Sequence, residues 1–340
     1  MCQVTAVVSP LPRRGDGGYE ATMLTNRLLL LQERLDAVVS RRPRRREEPS
    51  PAGERALCRH RGDYLGSDPQ LRQSNYDRTQ APSMHLDYFR DLRGRLESAG
   101  LRVTDAPVDI RGFDAWLDRC AVLDRYYRSH RDIHTEKCLE HYIVDCALRP
   151  RRGDTYVDVA SAGSPWARVL RLRGVEAYRL DLIYRPGIHG INIGGDATAT
   201  GLPGGFARAV SIQCAFELFF GETDRQFLAE TARILEPGGR AVITPLYLDD
   251  THFILHSPAA LPPPGSEEPG AVRVWRDDNV PAPFSRHYSP ESFVARIASQ
   301  LPPGLSGRVL YTSNLGDVME AHPRQRIYPF FTYVLEKARD

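Results

Sequence analysis

Residues 156–165 read YVDVASAGSP, and this stretch decides how the rest of the chain is interpreted. Apolar residues run directly into small residues and a single glycine, which is typical of a buried strand that ends in a tight turn. Asp158 lies inside the apolar strand, where an unpaired carboxylate is costly. We therefore expect Asp158 to have hydrogen-bonding partners, and we expect the turn to be a place where a ligand can bind.

The composition is that of a globular protein with no strong preference for polyanions. The 340 residues are 41% apolar, which is enough for an ordinary core, and 45 basic residues against 43 acidic ones leave a net charge of +2. A net charge this small gives the chain no overall electrostatic attraction to nucleic acid or to a membrane surface. No run approaches the roughly 18 apolar residues of a membrane span, and the first residues lack a signal pattern. Six scattered cysteines without a C-x-x-C pair predict a reducing, cytoplasmic environment.

Shifts in composition divide the chain into three regions. Residues 1–55 are expected to be a flexible segment with one amphipathic helix at 23–39, which offers a surface for a protein partner or for a second copy of the chain. Residues 56–133 are predicted to be a helical lid or accessory region, with helices near 84–98 and 112–130. Residues 134–340 are predicted to form the main domain.

Within the main domain, apolar strands alternate with amphipathic helices, which predicts a mostly parallel sheet. The predicted strands are residues 154–160, 176–183, 209–215 and 240–248. Asp181 ends the second strand about 20 residues after the first turn, the spacing at which a βαβ unit places an acid beside the ribose of a nucleoside.

The helix predicted at 134–148 is richer in polar residues than packing requires. Four polar residues share one face: His134, Cys138, His141 and Asp145. A metal site would need a further ligand from outside this helix, whereas a half-buried helix with its polar residues facing a cleft needs none. Lys137 lies beside this face with Glu140, and because it is one of two lysines in the chain we expect it to belong to a site.

Together these features resemble the class I S-adenosylmethionine (SAM)-dependent methyltransferases, from about Lys137 to the end of the chain. The resemblance rests on the strand and turn at 158–164, Asp181, the GDA of 195–197, the strand end at 214–217, and ARILEPGGRAVIT at 232–244. It implies an α/β fold with a doubly wound, Rossmann-like, seven-stranded sheet whose last strand is antiparallel. Residues 307–314 and 328–337 are suitable late strands.

The resemblance also implies a pocket for SAM or S-adenosylhomocysteine. Its expected residues are Asp158, Ala160, Ser161, Ala162, Gly163, Asp181, Asp196, Ala197, Gln213 and Cys214. Asp158 is expected to hold the amides of the turn and the amino group of SAM, and Asp181 to bind both ribose hydroxyls. Asp196 and Ala197 are expected to hold the adenine, and the remaining residues to line the methionine part and the pocket floor.

The first turn departs from the family pattern. Ala160, Ala162 and Ser164 stand where family members have glycines, and Gly163 is out of phase. Glycine permits positive φ and close approach of a ligand, so each added side chain crowds the methionine tail. The chain thus resembles a subgroup with a glycine-poor first motif, and two chemistries stay open. One is methyl transfer, and the other is a non-methylating reaction such as cyclisation, elimination or hydrolysis.

Catalytic residues are expected at the carboxyl ends of the strands. Glu217 directly follows the fourth strand and is the best-placed general base, although it could equally cap the next helix or pair with an arginine. Lys137, His134 and His141 are further catalytic candidates. The insertion at 249–290 is expected to cover the substrate, and Arg276, Arg286 and His287 within it are candidates for binding an acidic group.

The leading hypothesis from the sequence is a SAM-dependent methyltransferase that acts on a small molecule, in the biosynthesis of a specialised metabolite. The first alternative is an enzyme of the same fold that binds SAM or S-adenosylhomocysteine and catalyses a non-methylating reaction. The second is a non-catalytic subunit whose N-terminal helix joins a partner.

Overall fold

The computed structural model describes residues 51–76, 78–278 and 280–339. The amphipathic helix predicted at 23–39 lies outside the described residues. Within the described ranges, no helix has both the length and the apolar character needed to cross a membrane.

Helices and strands alternate through most of this part of the chain. The helices are α1 (Pro51–Leu65), α2 (Gln73–Tyr76), α3 (Leu86–Ser98), α4 (Ile110–Arg119), α5 (Ala121–Tyr127), α6 (His134–Leu148), α7 (Trp166–Leu172), α8 (Thr223–Ile234), α9 (Pro290–Arg296) and α10 (Leu315–Ala321). The strands are β1 (Val103–Asp105), β2 (Thr155–Val159), β3 (Glu176–His189), β4 (Asn192–Gly194), β5 (Ala207–Gln213), β6 (Leu235–Thr244), β7 (Phe253–His256), β8 (Val272–Trp275), β9 (Ser285–His287), β10 (Leu305–Tyr311) and β11 (Phe331–Lys337).

Eight of the described strands form one sheet in the order β1-β10-β11-β6-β5-β2-β3-β4. Strand β2 pairs in parallel with β3 and β5, and β11 pairs antiparallel with both β6 and β10. If β1 is set aside and the sheet is followed from β4 to β10, its seven strands are the third, second, first, fourth, fifth, seventh and sixth of this sheet in order along the chain. The predicted Rossmann-like, seven-stranded sheet with an antiparallel last strand is therefore confirmed.

The central strand shows why this sheet forms. Tyr156, Val157 and Val159 of β2 are each no more than 1% exposed, so the strand is covered on both faces. Near-continuous apolar runs of this kind are typical of central parallel strands. Helix α7 packs against β2 and β3, and α6 packs against β5 and β6. The carboxyl ends of the parallel strands consequently meet at one edge of the sheet, where their following loops form a site.

The structure differs from the sequence prediction in four places. The region predicted to be helical also contributes β1, which pairs in parallel with β10 at the edge of the main sheet. The helix predicted at 112–130 is divided into α4 and α5, because Cys120 between them leaves helical geometry. Strand β3 continues to His189, six residues beyond the end predicted at residue 183. The insertion at 249–290 contains a small sheet of its own, in the order β8-β7-β9.

A buried ion-pair network fixes this small sheet beside the main one. Asp224 at the start of α8 is 0% exposed, and its Oδ2 accepts from Arg286 Nη1 at 2.8 Å and from Arg296 Nε at 2.7 Å. Tyr288 donates its hydroxyl to the same oxygen at 2.6 Å. Arg286 is therefore committed to this network, and it does not line the cavity described below.

Candidate functional site

The turn after β2 has glycine-like geometry although it contains alanines. Ala160 and Ala162 have φ values of +53° and +46°. The left-handed region costs a residue with a Cβ roughly 1–2 kcal/mol. The turn therefore adopts the backbone path that glycines would favour, and the rest of the structure maintains it against that cost.

Asp181 and Tyr184 hold this turn from the neighbouring strand β3. Asp181 Oδ2 accepts from the amide of Ala162 at 2.8 Å, and its Oδ1 accepts from the amide of Ile183 at 3.0 Å. Tyr184 donates its hydroxyl to the carbonyl of Ala162. The acid expected at the ribose thus also anchors the turn.

Asp158 does not anchor the turn, and that part of the expectation was wrong. Its Oδ1 accepts from Ser211 Oγ at 2.9 Å, because the parallel register places Asp158 beside Ser211 on β5. Its Oδ2 and the hydroxyl of Ser161 are both buried and have no hydrogen-bond partner among the described residues. Burial raises the pKa of Asp158 to about 7. Two unpaired polar atoms therefore lie in or beside the turn.

The GDA segment follows β4 at the next position along the sheet edge. Gly194 must be glycine, because a Cβ there would lie 1.8 Å from the carbonyl oxygen of Arg185. Asp196 is exposed, and its Oδ1 accepts from both the amide and the hydroxyl of Thr198 at 2.8 Å. Ala197 packs against the core. The segment forms a rim beside the strand that carries Asp181.

Lys137 on α6 joins the end of β5 to two carboxylates. Its Nζ lies 2.9 Å from Glu140 Oε1, 3.3 Å from Glu136 Oε1 and 2.7 Å from Cys214 Sγ. Cys214 has a φ of +47° immediately after β5. Burial raises the pKa of Glu140 to about 7, although the Lys137 ammonium opposes that rise. Lys137 therefore lies in a buried charged cluster, and its role in a functional site stays a prediction.

His141 is buried between two side chains, Gln213 and Tyr127. It is 2% exposed, its Nδ1 accepts from the side-chain amide of Gln213 at 3.0 Å, and its Nε2 lies 3.0 Å from the Tyr127 hydroxyl. Since the Gln213 amide is the donor, this network assigns the ring proton to Nε2. Burial lowers the pKa of His141 to about 3, so the ring is neutral. His141 and Gln213 therefore fix one another at the end of β5.

His134 belongs to a different cluster. Its Nε2 lies 2.9 Å from Asp124 Oδ1, and Asp124 also pairs with Arg128 at 2.7 Å. Asp124, His134 and Cys138 offer one potential ligand atom each within 4.8 Å of one another. His134, Cys138 and His141 do not come together as a set of metal ligands, because the His141 ring is hydrogen-bonded to Gln213 instead.

A cavity of about 230 Å³ lies between the carboxyl ends of β5 and β6 and the small sheet of the insertion. It is lined by Gln73, Thr79, Gln80, Glu136, Glu217, Leu218, Tyr247, Leu255, Arg276, Ala282, Ser285, His287, Arg326 and Tyr328. The rings of Tyr247 and Tyr328 stack with their centroids 4.9 Å apart and 7° between their planes. The cavity thus combines a flat aromatic wall with charged groups.

Glu217 places a carboxylate in this cavity. Its Oε2 is buried and has no hydrogen-bond partner among the described residues, so that oxygen neither caps a helix nor pairs with an arginine. Burial raises the pKa of Glu217 to about 7, with a further contribution from Glu140 and an opposing one from Lys137. A carboxyl group with this pKa exchanges its proton near neutral pH.

The basic side chains that line the cavity differ in the groups that they contact. Arg276 forms a two-point ion pair with Asp278, at 2.9 and 2.6 Å. Arg326 instead donates to the side-chain amide oxygen of Gln80, a neutral partner. His287 stacks on Phe253 with ring centroids 4.3 Å apart. Arg326 therefore brings a positive charge to the cavity wall next to a neutral partner.

The sequence reasoning missed Tyr328, Arg326 and the residues from 73 to 80. Tyr328 was assigned to a strand, whereas it precedes β11 and reaches the cavity. Tyr247, within the strand predicted at 240–248, was the available sequence signal for the aromatic wall. No sequence signal placed residues near 80 beside Arg326.

Comparisons with known proteins gave structural similarity only. No family model and no curated protein sequence matches this chain. It is similar to the Burkholderia thailandensis 1,6-didemethyltoxoflavin-N1-methyltransferase, solved with 1,6-didemethyltoxoflavin and S-adenosylhomocysteine, at 14% identity and a TM-score of 0.40. That match covers 70% of this chain and 94% of the other.

Two further structures illustrate the range of the matches. A putative methyltransferase in complex with the Haloferax volcanii Trm112 activator is 16% identical, with a TM-score of 0.39, over 64% of this chain and 98% of the other. The [4+2]-cyclase SpnF is 13% identical, with a TM-score of 0.34, over 58% of this chain and 80% of the other.

Proposed function

We propose that this chain is a SAM-dependent methyltransferase that methylates a small molecule bound in the cavity beside Glu217. The observation that carries the proposal is the buried, unpartnered Oε2 of Glu217 at the carboxyl end of β5. Buried polar atoms in folded proteins are almost always hydrogen-bonded. An unpaired acceptor on a cavity wall therefore supports a ligand that brings a proton donor to it.

The residues around the first turn fit SAM. Asp158 Oδ2 and Ser161 Oγ are buried and unpartnered, and they suit the amino group of the methionine part. Each carboxylate oxygen of Asp181 accepts one hydrogen bond from a backbone amide. A carboxylate oxygen can accept a second hydrogen bond, for example from a ribose hydroxyl. Asp196 and Ala197 form the rim that would hold the adenine. When bound, SAM supplies an electrophilic methyl group.

The residues of the chain then have separate tasks. Glu217 accepts the proton that the substrate hydroxyl or amine loses, and a pKa of about 7 suits a general base at neutral pH. Lys137 favours the ionised form of Glu217. His141 fixes Gln213 at the end of β5, next to the proposed pocket floor. Because orientation contributes much of the rate in such a transfer, these supports are expected to affect turnover.

The cavity supports a compact, flat substrate with an acidic substituent. The stacked rings of Tyr247 and Tyr328 provide an aromatic wall, and Arg326, with its neutral partner, can pair with a carboxylate or phosphate. On this basis we propose that the substrate is a specialised metabolite.

A second candidate function is a non-methylating reaction catalysed by the same base. It is favoured by the first turn, where Ala160 and Ala162 adopt positive φ at positions that hold glycine in the family pattern, and where Asp181 already accepts hydrogen bonds from two backbone amides. Proton removal by Glu217 would serve a cyclisation or an elimination equally well.

Labelled SAM distinguishes the two candidates. The purified chain is incubated with methyl-labelled SAM and small aromatic acids, and both label transfer and substrate loss are followed. Transfer of label that falls by about 100-fold or more in Glu217→Gln, with SAM affinity unchanged, supports methyl transfer. Substrate loss without transfer supports the second candidate, and undiminished transfer by Glu217→Gln excludes its role as the base.

A further inference from the structure

Lys137 and Cys214 lie closer together than a hydrogen bond to sulfur requires. Their Nζ and Sγ atoms are 2.7 Å apart. Hydrogen bonds from nitrogen to oxygen span about 2.7–3.2 Å, and sulfur is larger than oxygen, so a nitrogen–sulfur hydrogen bond is longer than this. The observed separation instead suits two atoms that are joined through one bridging oxygen atom.

The surroundings hold both groups in place and provide a proton acceptor. Glu140 Oε1 lies 2.9 Å from Lys137 Nζ and 3.1 Å from Cys214 Sγ, so the three atoms contact one another in pairs. Cys214 has a φ of +47°, a conformation that is disfavoured for a residue with a Cβ and that the surrounding structure must maintain. Two elements 77 residues apart in sequence thereby present an amine and a thiol to each other.

We propose that Lys137 and Cys214 are an oxidative modification site, at which molecular oxygen or a peroxide converts the pair into a covalent N–O–S bridge. Glu140 takes the proton that the ammonium releases, which leaves a neutral amine. The amine and the thiol then lose one hydrogen each, and one oxygen atom is inserted between nitrogen and sulfur. With molecular oxygen, the second oxygen atom leaves as water, and the nitrogen and the sulfur are each oxidised by two electrons.

Hydrogen peroxide gives the same product when two molecules are consumed and three waters are released. One peroxide oxidises the sulfur of Cys214 to a sulfenic acid, with release of one water. The second oxidises the Lys137 amine to a hydroxylamine, with release of another water, and the hydroxylamine oxygen then attacks the sulfenic sulfur and expels the third water, so that one oxygen atom remains between nitrogen and sulfur. Lys137 keeps 15% of its side chain exposed and Cys214 is only partly buried, so a small oxidant can reach the pair.

The bridge would alter the site described above. It removes the ammonium charge that faces Glu136 and Glu140, and it ties α6 to the end of β5, three residues before Glu217. The modification does not depend on methyl transfer, so it can be tested whatever reaction the chain catalyses.

Intact-protein mass spectrometry tests the proposal on the full chain, prepared reduced and then exposed to air or to hydrogen peroxide. The expected result is a gain of one oxygen less two hydrogens, reversed by dithiothreitol, with a protease digest that yields a linked peptide pair containing residues 137 and 214. Cys214→Ser and Lys137→Arg should lose this product. Cys58→Ser, which removes an exposed thiol, should retain it.

Cys214→Ala provides a second variant if serine disturbs folding, and circular dichroism checks that each variant is folded. The proposal is overturned if the oxidised wild type shows no linked peptides, or if it shows added oxygen on Cys214 with Lys137 unmodified. A loss of two hydrogens without added oxygen, which indicates a direct sulfur–nitrogen bond, also contradicts it. Persistence of the product in Cys214→Ser has the same consequence.

Discussion

Replacing Glu217 with glutamine should stabilise the protein at alkaline pH while it impairs catalysis. Burial raises the pKa of this carboxyl from 4.5 to about 7, so the folded state resists the loss of its proton. Glutamine has nearly the same shape and no charge to bury. The substitution therefore removes a cost that the native site carries for its function.

The sign and size of the effect follow from proton linkage. Below pH 4.5 the group is protonated in both the folded and the unfolded state, and it contributes no penalty. Between pH 4.5 and about 7 the folded chain binds the proton more tightly, so its stability falls as pH rises. Since each pKa unit is worth about 1.4 kcal/mol, the accumulated cost above pH 7 is about 3 kcal/mol.

Urea unfolding at pH 5 and pH 8.5, followed by tryptophan fluorescence, measures the difference. Glu217→Gln should exceed the wild type in free energy of unfolding by about 3 kcal/mol at pH 8.5 and by much less at pH 5. The exposed Glu320→Gln on α10 is the matched control, and its difference from wild type should not depend on pH. If Glu217→Gln gives the same difference at both pH values, or is destabilising at pH 8.5, the assignment of a buried, proton-retaining carboxyl is refuted.

Three further outcomes follow from the same structure. The rate of methyl transfer should rise about tenfold per pH unit below pH 7 and level off above it, because Glu217 must lose its proton to act as a base; a flat profile from pH 5 to 8 would argue against this. Ala160→Gly and Ala162→Gly should each raise the free energy of unfolding by about 0.5–1 kcal/mol because they relieve positive φ, whereas Ala229→Gly on the exposed face of α8 should lower it by about 1 kcal/mol. Asp224→Asn should destabilise the chain by about 3 kcal/mol or more, because it leaves two arginine side chains without their buried carboxylate; a loss below about 1 kcal/mol would show that the network is dispensable.

Most of the sheet could be predicted because its strands carry local signals. The apolar runs at β2, β5 and β6, with helices between them, are sufficient to indicate parallel order. Strand β1 could not be predicted, since three residues give no periodic signal and their pairing with β10 depends on the fold of the whole chain. The sheet within the insertion was missed for a similar reason, because its strands are only three or four residues long.

The site was predictable in its residue types more than in its contacts. Asp158 was expected to need a partner, and it has one, but the partner is Ser211 on the neighbouring strand. The contact between Lys137 and Cys214 joins distant parts of the sequence, and no local pattern encodes it. Tyr328 reaches the cavity from the approach to the last strand, which periodicity alone assigns to the sheet.

The turn after β2 and Asp181 within β3 are proposed to form a SAM pocket. Isothermal titration of the purified chain with S-adenosylhomocysteine tests it directly. We expect saturable binding of one ligand per chain that is lost in Asp181→Ala and retained in Glu217→Gln. Absence of binding by the wild type to both S-adenosylhomocysteine and SAM would contradict it.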